Sequence, residues 1–103
     1  MTQIERITHM EKCLDDGLRA VRELSHALSE YRGVQCELRE LAGYYGSEEW
    51  RKNFEDDEAG RLPKDLKRGV LSEDSVYDLL NENRELQAEI LEAVSGIIRE
   101  GIL

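Results

Sequence analysis

The chain is poor in what sheets, disulfide scaffolds, membrane spans and metal centres are built from. Its 103 residues include one proline, two cysteines, two histidines, one tryptophan and one phenylalanine. No run approaches the roughly 18 uninterrupted apolar residues that a bilayer span requires, and the opening MTQIERITHMEK lacks the apolar core of a signal peptide. Cys13 and Cys36 fall on one helical pattern, where the helix between them runs about 35 Å at roughly 1.5 Å per residue. A disulfide needs Cα atoms within about 7 Å, so two free thiols and a reducing, cytoplasmic setting are expected. There is no glycine-rich phosphate loop and no CxxC pair. Net charge is −9, which repels phosphate backbones and anionic lipid, so direct nucleic-acid and membrane binding are not expected.

What is present is helical. With 40% hydrophobic and 36% charged residues, the composition fits a single all-α domain over residues 1–103. Ile7, Met10, Leu14, Leu18, Val21, Leu24, Leu28, Tyr31, Leu38, Leu41 and Tyr45 recur at threes and fours. That spacing stacks them on one helical face and predicts a first helix over about 2–43, long or bent, with Arg32-Gly33 the place for any break. Asp15 and Arg19 are an expected i,i+4 pair on its polar face.

Gly43 and Gly46 close that helix. Ser47 reads as an N-cap and Glu48 and Glu49 suit the positive helix end, giving a second helix over about 47–59 with Gly60 as its left-handed cap. Leu62-Pro63 enforces an extended step; Lys64 to Arg68 can make one turn, and the connection over 60–71 is otherwise irregular. Ser72 caps a third helix over about 72–100, whose wide stripe includes Val76, Leu79, Leu80, Leu86, Ile90, Leu91, Val94, Ile97 and Ile98. Asn83 lies in that stripe. The expected architecture is the long first helix packed antiparallel on the short second and long third helices, with a homodimer burying the remaining apolar surface in a helical bundle or coiled coil.

The stretch from Tyr44 to Asp74 holds the most distinctive chemistry. Tyr44, Tyr45, Trp50 and Phe54 gather at its start, and Arg61, Lys64, Lys67 and Arg68 surround Pro63. Aromatics of this kind either pin one helix on another or form a binding hot spot; the cations either pair with Glu55 to Glu58, Asp65, Glu73 and Asp74 or meet an anionic partner. The partner-binding candidates are Tyr44, Trp50, Arg61, Lys64, Lys67 and Arg68.

The segments YYGSEEW at 44–50, DEAG at 57–60 and LPKDLKRGVLSED at 62–74 resemble a family of small bacterial proteins known only as a domain of unknown function. The likeness covers about residues 4–92, with Glu5-Arg6-Ile7 and Tyr77 to Leu80 adding to it. It implies a small helical cytoplasmic protein of bacterial or phage source and brings no activity, cofactor or catalytic residue.

An all-α magnesium-dependent nucleotide hydrolase is a rival from another class, using Glu48, Glu49, Asp56 and Glu85. Its EExxE opening fails here, since Lys52 stands where the third glutamate belongs. Glu82, Glu85, Glu89 and Glu92 form a carboxylate row that a solvated helix face also explains. His9, with Glu5 and Cys13 a turn away on either side, offers at most a bare three-ligand face. An acidic nucleic-acid mimic is a third reading, diluted by fourteen interspersed cations. No catalytic residue, metal site or cofactor is assigned, and the expected role is a non-catalytic helical protein-interaction module with a protein partner and self-association.

Overall fold

The computed structural model describes residues 1–101. Among them there are helices and turns and no strand, with α1 at Gln3–Gly33, α2 at Gln35–Tyr44, α3 at Glu48–Glu58, a 3₁₀ turn at Gly69–Leu71, and α4 at Ser75–Glu100. The all-α class read from composition and periodicity is therefore what the chain adopts. Two units separate, Met1–Cys36 and the chain from Glu37 on.

The first unit is essentially α1. Thr2 caps it, its hydroxyl accepting from the Glu5 N–H at 3.1 Å. The helix expected to run unbroken to about residue 43 is interrupted at Val34, which keeps right-handed angles and donates its N–H to the Glu30 carbonyl at 3.1 Å. Gly33, at the expected weak point, ends α1. The Gln35 side-chain amide donates to the Tyr31 carbonyl at 2.9 Å, the acceptor that the Gln35 N–H uses in an uninterrupted helix. A side chain thus takes over at the joint. Arg19 pairs with Asp16 at 3.6 Å and Glu23 at 3.9 Å rather than with the expected Asp15.

The second unit carries its small core in the connection. Among the described residues, Leu71 in the 3₁₀ turn and Val76 in the first turn of α4 are the buried apolar ones, at 6% and 3% exposure. Both α3 and α4 pack on this 3₁₀ turn, so Gly69–Leu71 is the wedge that joins them. The expected turn over 64–68 is a tighter one at 63–66, with the Leu66 N–H donating to the Pro63 carbonyl at 3.2 Å. The third predicted helix starts at Ser75 rather than 72. Ser72 still caps in part, since its hydroxyl accepts from the Ser75 N–H at 3.1 Å.

Candidate functional site

The site is the segment between α2 and α4, where side chains of ordered helices tie down irregular backbone. Gly46, with φ of 79°, takes the left-handed conformation that turns the chain after α2. Ser47 then caps α3, accepting from the Trp50 N–H at 3.1 Å. This start places Trp50 and Phe54 one turn apart on one face. Their rings stack at 5.2 Å, and Tyr45 meets the Trp50 ring edge-on at 5.2 Å, geometries that add to simple area burial.

The polar tips of these rings reach across to the connection. Trp50 Nε1 donates to the Val70 carbonyl at 2.8 Å, and the Tyr45 hydroxyl donates to the Glu73 carbonyl at 2.6 Å. Tyr44 accepts from the Asn53 side-chain amide at 2.8 Å, which ties the end of α2 to α3. Backbone that forms no ladder needs partners for its carbonyls. Here aromatic side chains supply two of them.

Arg68 supplies others from within the loop. Its guanidinium donates to the Asp57 carboxylate and to the Pro63 carbonyl, and its Nε donates to the Leu66 carbonyl at 3.2 Å. A five-donor planar fork suits this task, and a lysine cannot reproduce it. Arg68 is thereby a clamp that folds residues 63–68 onto the end of α3.

Gly60 closes α3 as expected, with φ of 72°. The Arg61 N–H donates to the Asp56 carbonyl at 2.8 Å and the Gly60 N–H to the Asp57 carbonyl at 3.0 Å, the paired bonds of a Schellman cap. An apolar contact often accompanies that cap. In its place Arg61 pairs with the Asp56 carboxylate at 3.0 Å, while Lys52 holds the other carboxylate oxygen at 3.0 Å. Hydrogen bonds from Lys52 and then Arg61 hold the Asp56 carboxyl below its ordinary value of 3.8.

The six candidates read from sequence therefore separate into two groups. Tyr44, Trp50, Arg61 and Arg68 are engaged inside the segment. Lys64 and Lys67 are exposed and make no ion pair or hydrogen bond among the described residues. Lys67 lines a cleft of about 420 Å³ whose walls are otherwise Leu41, Gly69, Val70, Ser75, Val76 and Leu79. An uncommitted ammonium at the rim of an apolar groove is what the structure adds to the candidate set. Leu41 and Leu79 in this role were hidden in the sequence, where both read as ordinary stripe residues of two helices.

Among the described residues, no group of three or more His, Cys, Asp and Glu side chains is arranged to hold a metal ion. The Cys13 sulfur lies 3.8 Å from His9 Nε2, and neither Cys13 nor Cys36 is in a disulfide. No described helix is long and apolar enough to cross a membrane.

A family model described as a domain of unknown function (DUF4298) matches residues 7–93, and the chain belongs to that family. No curated protein and no solved structure matches it.

Proposed function

We propose that this member of the DUF4298 family is a non-catalytic protein-interaction module of the cytoplasm, which binds an acidic, amphipathic segment of a protein partner. The observation that carries the reading is the groove lined by Leu41, Val70, Val76 and Leu79 with Lys67 at its rim and Lys64 exposed three residues before it. An apolar face flanked by carboxylates fits it on both counts: the groove removes apolar surface from water, and the two ammonium groups select the charge. The engaged residues Tyr44, Trp50, Arg61 and Arg68 belong to the same reading as the frame that holds the groove open. Exposed apolar stripes on α1 and α4, including Leu14, Leu24, Leu28, Ile90 and Ile97, support self-association as a second property of the module.

The test is affinity capture of partners by the whole chain, compared with a Lys64→Glu, Lys67→Glu variant. Arg68 stays in place because it clamps the loop. The expected result is a partner whose binding the variant loses at least tenfold, and which a synthetic acidic amphipathic peptide from that partner reproduces. Equal capture by both proteins, with circular dichroism showing the variant folded, overturns the assignment of the surface.

A further inference from the structure

The geometry of α1 points to a specific self-pairing: we propose that residues 12–33 pair with the same residues of a second copy, antiparallel. This deepens the self-association in the proposed function and is independent of the Lys64/Lys67 groove.

Ile7, Leu14, Val21 and Leu28 recur at heptad spacing, and Met10, Gly17, Leu24 and Tyr31 repeat three positions later, the pattern of a two-helix seam. The seam's large apolar residues from Ile7 to Leu28 are between 41% and 69% exposed. The opposite face is polar and carries the ion pairs that α1 makes among the described residues. Lys12 pairs with Asp16 at 2.7 Å, Arg19 with Asp16 and Glu23, and His26 with Glu30 at 3.1 Å, so these charges line the side away from the seam. Glu11 and Arg32 instead flank the seam itself, and neither has an ion-pair partner among the described residues.

An antiparallel pairing centred between Val21 and Leu24 covers the seam from Leu14 to Tyr31 with one register, and Ile7 and Met10 lie beyond the paired stretch. Val21 faces the partner's Leu24, Leu14 faces the partner's Tyr31, and Leu28 faces the partner's Gly17. On one flank Glu11 meets the partner's Arg32, twice by symmetry; on the other, Ala20 meets the partner's Ala27. Gly17 is otherwise unexplained, since an added Cβ there meets no atom within 4 Å and glycine weakens a helix interior. In the pair its notch receives the Leu28 knob. A parallel pairing sets Gly17 against Gly17 and leaves that space empty.

The test uses a spin label on Cys13 in the full chain carrying Cys36→Ser, with the molar mass measured on the same sample. In the proposed register Cys13 lies level with the partner's Arg32. The two labels are then offset by about 28 Å along the axis at roughly 1.5 Å per residue, and with helices about 10 Å apart they stand about 30 Å from each other. A dimer mass with one distance near 30 Å is the expected result. A dimer with a distance below about 20 Å, or with no distance near 30 Å, overturns the antiparallel pairing and leaves self-association standing; a monomer overturns both. Charge exchange supplies the second measurement. Glu11→Arg alone is expected to weaken the dimer roughly fivefold, and adding Arg32→Glu to restore it. No recovery in the double variant overturns the register.

Discussion

α1 and the stretch from Tyr44 to Val76 use their distinctive side chains in opposite ways. In the latter, nearly every unusual residue is spent inside the chain: Trp50 on Val70, Tyr45 on Glu73, Arg68 on Asp57, Pro63 and Leu66. In α1 the ion pairs lie on the outer face and the regular apolar positions from Ile4 to Leu28 remain exposed. One region is specified by contacts between residues far apart in sequence, the other by a period. An irregular segment thus needs its own staples before it can present a surface, whereas a helix forms from repeating local bonds and gains most of its stability when its apolar face is packed, which leaves the α1 seam for a partner.

Trp50→Ala separates the two regions most clearly. It removes both ring contacts and the bond to Val70 at once, and the loss expected for a large aromatic in such a place is about 3 kcal/mol. Urea unfolding followed by circular dichroism measures it. The α1 seam has no residue of that kind: Leu24→Ala is expected to leave the unfolding of the second unit unchanged and to act on dimer mass alone. If Trp50→Ala costs no more than a surface substitution, the staple account of the segment is wrong.

Gly60 and Gly17 differ in the same way, at smaller magnitude. Gly60 holds φ of 72°, so Gly60→Ala forces a left-handed conformation on a residue with a Cβ and is expected to cost about 1 kcal/mol. Gly17 is helical with open space around it. Gly17→Ala is expected to stabilise the isolated helix by up to about 1 kcal/mol, yet to weaken the dimer, because the added methyl occupies the notch that Leu28 of the partner fills. Helix content and dimer mass measured together as a function of concentration separate the two effects. A Gly17→Ala chain that dimerises more tightly argues against the proposed register.

How far the sequence revealed these arrangements follows from the same contrast. Local rules sufficed where local bonds decide: the Ser47 cap, the Gly60 cap, the face shared by Trp50 and Phe54, and the weak point at Gly33 were all legible. The joint was placed but its form was not, because nothing in the register shows that the Gln35 side chain takes the Tyr31 carbonyl. Ser72 as the start of the last helix was early by one turn, since its hydroxyl serves a turn that precedes α4. Pairings across the connection were beyond the pattern altogether. Trp50 to Val70 and Arg68 to Pro63 join side chains to backbone carbonyls, and every residue has such a carbonyl, so composition carries no sign of which one is chosen. For the same reason the four cations looked alike, and only their placement divides Arg61 and Arg68 from Lys64 and Lys67.

The smallest effect concerns Asp56, whose carboxylate bridges Lys52 and Arg61 at the end of α3. The hydrogen bond from Lys52, followed by that from Arg61, lowers its pKa in the folded chain from the ordinary 3.8. The folded state therefore binds this proton less readily than the unfolded state. The resulting stabilisation is complete above the unfolded value of about 4 and disappears as pH falls through the lower, folded value. Asp56→Asn keeps the carbonyl that closes the Schellman cap and removes only the charge. The urea midpoint of wild type is thus expected to exceed that of Asp56→Asn slightly at pH 6, and the gap to close as pH drops below about 4. High salt is expected to narrow it at pH 6 as well, because an exposed pair is screened. A gap that persists unchanged to pH 2 places the contribution of Asp56 in its shape rather than its charge, and transfers the closure of α3 to Gly60 and the backbone bonds alone.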